Sequence, residues 1–206
     1  LDIDRTVEAV DREPAEIGQR VEIPEIGGLA IVAGRLGIVP VGLVGAAVSD
    51  HPKIVEIVNE LADRGVQVGL SSLRPDKLKE PFVAALKRGG YRTLTTALDG
   101  PSERMRGIIE RRGREPHYEL AAELARKYGM DRLKLYLMIG LPGETDDDID
   151  ECVHFVAGLS RVVPIALGIA PFCAKKNTPL DGMPYAGVAT VRGRLAPLRR
   201  GIRGCA

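Results

Sequence analysis

The chain has 206 residues, 29 basic against 28 acidic, for a formal net charge of +1. That length buries one good core and argues for one main domain. The near-neutral balance gives no electrostatic case for a nucleic-acid or membrane surface, the lack of Trp argues against a base-stacking platform, and no apolar run is long enough to span a bilayer.

Leu1 in place of Met, with no signal-peptide pattern, reads as the start of a fragment or a processed product. A short helix is expected over residues 1–10. Pro14, Gly18, Pro24, Gly27 and Gly28 then interrupt the chain, and residues 29–33 suit a strand. Too few residues follow it before Val41 for a helical crossover, so residues 1–40 form an irregular N-terminal segment. Residues 41–206 are regular. A strand at 41–46 leads to a helix at 52–64 with Ile54, Ile57, Val58 and Leu61 on one face. Strand 66–71 and helix 75–88 follow, stopped by Gly89-Gly90. Strand 92–98 precedes two helices, 102–111 and 116–128. Strand 132–139 feeds helix 146–159, strand 165–170 follows, and a last helix covers about 186–199. Strands alternating with helices predict parallel pairing in an α/β fold. An open barrel and a doubly wound sheet both satisfy that pattern.

Cys152, Cys173 and Cys205 are too few and too scattered for a disulfide framework, and their spacing matches no zinc or iron–sulfur ligand set. They read as thiols of a reducing cytoplasm. His51, His117 and His154 are equally dispersed.

Four strand ends carry unusual residues, all on one edge of a parallel sheet, the edge where α/β folds place ligands. Gly45, Ala46 and Ala47 leave the backbone open to close approach, or serve close helix–strand packing. Ser71, Ser72 and Arg74 suit a carboxylate, or Asp76 caps a helix beside a solvated Arg74. Asp99-Gly100 reads as a turn and Ser102 as a helix cap; alternatively Asp99 or Ser102 accepts from ribose hydroxyls and Arg104 meets a carboxylate. Glu103 and Arg106 stand at helical pairing distance. The most informative end is Gly140-Leu141-Pro142-Gly143-Glu144-Thr145, a turn after a buried strand with Thr145 and Asp148 spaced as a capping-box variant.

That segment resembles the fifth-strand motif of radical S-adenosylmethionine (SAM) enzymes. Residues 99–106 resemble the family's fourth-strand pattern, with Ser102, Glu103, Arg104 and Arg106 in register, Asp99 where the family has Glu and Pro101 where it has Gly. Residues 45–52 resemble its second-strand Gly-Gly-Glu-Pro region, with Ala46 and Ala47 replacing Gly and Glu. Residues 71–78 resemble its third strand. Pro171-Phe172, Lys175 and Thr178-Pro179 resemble the sixth-strand stretch of its cobalamin-associated, methylthiotransferase-like branch. The resemblance implies a partial parallel (β/α) barrel of five to six strands, incomplete at the N-terminus, that binds S-adenosylmethionine as a small-molecule cofactor. It also implies a 4Fe-4S cluster on a Cys-x3-Cys-x2-Cys loop, reductive cleavage to a 5′-deoxyadenosyl radical, transferase chemistry, and cobalamin in a longer parent. Gly45, Ala46 and Ala47 would meet the methionine amino group, with Ser72 beside them. Asp99 and Ser102 would face the ribose, Arg104 the carboxylate, and Gly140, Leu141, Pro142, Ala170 and Pro171 the adenine. The cysteine triplet is missing from the sequence, so this chain alone is not expected to cleave the cofactor. Two other readings stand beside this one: a (β/α) barrel lyase using Lys134 as a Schiff base next to Tyr136, and a non-catalytic binding domain.

Overall fold

The computed structural model describes residues 20–21, 30–32, 41–44, 48–70 and 73–203. Seven strands are present among them: β1 (Arg20–Val21), β2 (Ala30–Val32), β3 (Val41–Val44), β4 (Val68–Leu70), β5 (Thr93–Asp99), β6 (Arg132–Ile139) and β7 (Ile165–Pro171). From β3 onward they alternate with α1 (Ile54–Asp63), α2 (Glu80–Arg88), α3 (Glu103–Ile108), α4 (Glu115–Lys127), α5 (Asp146–Ser160) and α6 (Val188–Arg203). β1 and β2 pair antiparallel, as do β2 and β3, which is what a connection too short for a helix permits. β3 and β4 are parallel, and so are β5, β6 and β7. A parallel bridge from Leu73 to Thr96 joins the two groups, and the Thr96 hydroxyl donates to the Leu73 carbonyl at 2.6 Å.

Strand order therefore follows chain order from β3 to β7. A doubly wound sheet reverses its order at a switch point; this one does not, and the open, partial barrel is the result. The side chains agree. Leu94, Leu98, Leu133, Leu135, Leu137 and Ile139 are buried in one core with residues of the helices, such as Val58, Val83, Ala122, Cys152, Val156 and Leu198. The alternate residues of β6 face the other way, and Tyr136 remains 43% exposed. Both faces of a central doubly wound strand would be covered.

Three expectations shift in detail. The helix foreseen from Pro75 is broken: Pro75–Lys77 forms one 3-10 turn, Lys79 is extended, and α2 begins at Glu80 with Pro81 in its first turn. A continuous helix would drive the Pro81 ring into the carbonyl of Lys77, four residues back. The segment 102–111 keeps only six helical residues, and Glu110 adopts a left-handed φ of 55°. The last helix runs past residue 199 to Arg203 with Pro197 inside it. Its apolar side explains the persistence, because Leu198 is fully buried while Val191, Leu195 and Ile202 pack on the core. The helix expected at 1–10 lies outside the described residues, as do Gly45, Ala46, Ala47, Ser71 and Ser72.

Candidate functional site at the carboxyl ends of the parallel strands

After Ile139 the chain turns with Gly140 at φ 79° and Gly143 at φ 76°, a backbone region that L side chains rarely adopt. A Cβ on Gly140 would also stand 3.1 Å from the Cβ of Ala186 just ahead of α6. What holds the turn is Glu144. Its carboxylate accepts from the Gly140 N–H at 2.9 and 3.0 Å and from the Leu141 N–H at 3.3 Å. Arg194 of α6 donates Nη1 to Glu144 Oε1 at 2.6 Å and Nη2 to the Glu144 carbonyl at 2.6 Å. The Glu144 side chain is 0% exposed and that of Arg194 is 17% exposed, so this charge pair is largely buried, and both Glu144 carboxylate oxygens accept hydrogen bonds.

Asp148 is the second organising carboxylate. Thr145 donates to its Oδ2 through the backbone N–H at 2.7 Å and the hydroxyl at 3.0 Å, closing the box that the Thr145-x-x-Asp148 spacing predicts. Ser102 donates to Oδ1 at 2.6 Å, and Arg104 straddles both oxygens at 3.2 and 2.5 Å. Burial alone pushes this carboxyl up, but the hydrogen bonds from Arg104, Ser102 and Thr145 outweigh it and hold Asp148 down at about 2. One ionised carboxylate thus joins the ends of β5 and β6.

The predicted site residues that the structure describes fall into two groups. Ser102 is fully buried; its oxygen accepts the Met105 N–H as the cap of α3 and donates to Asp148, so it serves the framework. Arg104 is half exposed and also donates to the Gly143 carbonyl at 2.9 Å. Asp99 closes β5 at φ 63°, and its Oδ2 pairs with Arg111 Nε at 2.9 Å. Burial raises the Asp99 carboxyl and the Arg111 charge lowers it, the balance lying upward. Gly140, Leu141 and Pro142 border the turn, and Ala170 and Pro171 are exposed at the end of β7. Phe172 follows, its N–H bonded to the Ile139 carbonyl at 2.8 Å. Met105, Leu141 and Phe172 form a second small apolar cluster, separate from the main core, with Met138 and Leu180 packed against it. Arg74 does hold carboxylates, but they are the protein's own Asp50 and Asp76, at 2.7 and 2.6 Å.

Glu144 and Arg194 are the organising residues that sequence reasoning missed. Glu144 stands inside the Gly140–Thr145 segment with no local signal of its partners, and Arg194 lies fifty residues away in the last helix. No three His, Cys, Asp or Glu side chains among the described residues are grouped to hold a metal. Cys152 is buried in the core, where burial pushes its thiol up to about 12, far from a ligating thiolate. Cys173 is exposed and distant from it in sequence. The described residues therefore do not fit an iron–sulfur cluster.

Residues 10–156 match the family model of the radical SAM superfamily. The chain belongs to the radical SAM superfamily. Over 142 residues it is 36% identical to an uncharacterized protein of Methanocaldococcus jannaschii; the match covers 68% of this chain and 31% of that one. The chain thus spans less than a third of that relative's length. Among solved structures, coproporphyrinogen III oxidase from Escherichia coli, a radical SAM enzyme, aligns with TM-score 0.56 at 14% identity over 72% of this chain and 37% of its own. Streptococcus suis SuiB aligns with TM-score 0.58 at 14% identity over 80% of this chain and 36% of its own. SuiB bound to S-adenosylmethionine gives TM-score 0.57 over 80% and 37%. At that identity the likeness is one of fold.

Proposed function

We propose that this radical SAM chain is the greater part of an S-adenosylmethionine-binding barrel, residues 41–206, and that the adenosyl group lies at the carboxyl ends of β5, β6 and β7. The observation that carries the reading is the turn at Gly140–Glu144. It is locked by a buried ion pair and backed by a separate apolar cluster at a sheet edge that bears exposed Ala170 and Pro171. In the family, reductive cleavage of the cofactor at a 4Fe-4S cluster supplies a 5′-deoxyadenosyl radical. No step through a cluster is assigned to the described residues of this chain.

These residues bind and orient. Met138, half-buried, offers apolar surface to the adenine and is backed by the buried side chains of Leu141 and Phe172. Arg104 has no partner for Nη1 among the described residues, so it can meet a carboxylate while Asp148 fixes its plane. Asp99 keeps Oδ1 for a ribose hydroxyl while Arg111 takes Oδ2. Ser102 acts one step back, by holding Asp148. The stretch from Pro171 to Pro179 supports a parent of the cobalamin-associated branch, with transferase chemistry in a reducing cytoplasm. No helix among the described residues is long and apolar enough to cross a membrane.

Calorimetric titration with S-adenosylmethionine tests the reading. We expect one molecule bound per chain, and Ala170→Trp, at an exposed position, should weaken binding at least about tenfold with an unchanged melting temperature. A folded protein that does not bind, or an A170W variant of equal affinity, would favour a non-catalytic domain.

A further inference from the structure

On the sheet face opposite the helices, β6 carries Lys134 and Tyr136, and Lys134 stands against an aromatic ring with no carboxylate of the described residues beside it. Arg74, Arg88, Arg92, Arg104, Lys127 and Arg194 each have a carboxylate partner. Lys134 has none among the described residues. Its ammonium sits 4.6 Å from the centroid of the Tyr136 ring. Tyr136 lies two residues nearer the carboxyl edge on the same face, so the lysine leans toward the proposed cofactor edge. The ring is fixed in turn by β7. Tyr136 stands opposite Gly168, and a Cβ on that glycine would lie 2.5 Å from ring atoms Cδ1 and Cε1. The ring therefore lies on bare backbone, and any larger residue at 168 would displace it. The positions opposite Lys134 are Thr95 and Ala166, both uncharged and short.

An ammonium held against an aromatic face keeps its charge and its donors for a third party, whereas a carboxylate partner would consume both. Tyr136 is four residues before Gly140, about 13 Å at the rise of an extended strand.

We propose that Lys134, positioned by Tyr136 on Gly168, binds an oxyanion of the substrate, a carboxylate or phosphate group held beside Tyr136, about 13 Å along the strand from Gly140 at the turn where the adenosyl group is proposed to lie. This rests on the proposed function for its role, since it makes Lys134 a substrate-positioning residue for that same barrel. The reacting carbon then lies at the strand ends while the anionic group is anchored deeper in the barrel.

The test is a short acetylation pulse with an N-hydroxysuccinimide ester, the extent at each lysine being read by peptide mass spectrometry. It is run on the whole chain in inorganic phosphate, in glutarate and in chloride, at matched ionic strength. Lys79, exposed and distant, is the internal reference. We expect phosphate or glutarate to slow modification of Lys134 saturably by at least about fivefold, with Lys79 and the chloride arm unaffected; which anion protects identifies the group. Gly168→Ala, which displaces the ring, should reduce that protection. Equal rates in all three salts, or protection by chloride as strong as by the oxyanions, would overturn the proposal without recourse to any variant. Calorimetry with S-adenosylmethionine on wild type and Lys134→Gln separates the two claims. Cofactor binding without oxyanion protection defeats this inference alone. Protection without cofactor binding upholds the oxyanion site and defeats the proposed function.

Discussion

Replacing Glu144 with Ala should be among the most damaging single changes in the chain. The substitution strips the acceptor from the Gly140 and Leu141 N–H groups and leaves Arg194, 17% exposed, without its counter-charge. Buried donors left unpaired cost about 1–3 kcal/mol each, and breaking a buried ion pair by removing one member costs about 3–5 kcal/mol. These costs overlap, because the same carboxylate serves all three partners, so the expected loss for E144A is about 3–5 kcal/mol. Glu144→Gln keeps a neutral acceptor for the turn and should lose roughly half as much. Urea unfolding with linear extrapolation measures both, provided the m-value is unchanged. In a cycle with Arg194→Met, the E144A and R194M effects should be less than additive by about 2 kcal/mol or more. A loss under about 1 kcal/mol for E144A, or strict additivity with R194M, would refute the view that this pair locks the turn.

Three further outcomes follow from the same contacts. Asp148 is held at about 2 against an ordinary 3.8, so its folded form favours ionisation; the stability this adds is present above pH 4 and lost as pH falls toward 2, about 2 kcal/mol in all. Asp148→Asn should be less stable at pH 7 and show a flatter stability profile between pH 2 and 4; an unchanged slope would contradict the assignment. Gly168→Ala should cost about 1–3 kcal/mol, a penalty that thermal melts should find largely relieved in a Tyr136→Ala background. Arg106 is fully buried with Nε and Nη2 lacking hydrogen bonds; Nη2 lies 3.6 Å from Glu115 and 3.9 Å from Glu103, and the guanidinium is 5.8 and 5.7 Å from the Tyr118 and Phe155 rings. Arg106→Met should therefore stay within about 1 kcal/mol of wild type or gain stability by chemical denaturation; a loss above about 3 kcal/mol would show that its ring contacts and long ion-pair distances matter more than the missing hydrogen bonds.

Hydrophobic periodicity made the alternation of strands and helices legible, while the barrel was implied by the resemblance to the radical SAM family. The buried run through Leu133, Leu135 and Leu137 and the helical faces at Ile54, Ile57 and Val58 are local patterns, and the structure places them as expected. Sequential strand order was not legible from periodicity, because it depends on contacts such as the Leu73–Thr96 bridge between distant segments. The break before Pro81 was readable in principle from proline sterics. At the site, the cap role of Thr145 and Asp148 showed in their spacing. The partnership of Asp148 with Ser102 and Arg104 spans separations of 46 and 44 residues, and that of Glu144 with Arg194 spans 50. Nothing in a local pattern announces such pairs. Charged residues taken as solvated or ligand-facing proved to be one another's partners, because a buried carboxylate recruits whatever donors the fold brings near.

The most direct test of the cofactor assignment is backbone amide NMR of the folded chain titrated with S-adenosylmethionine. The account predicts saturable shifts concentrated at Leu141, Gly143, Ala170 and Arg104. Saturation with these amides unmoved, or shifts gathered instead along the groove between α4 and α5 lined by Glu119, Glu123 and His154, would contradict it.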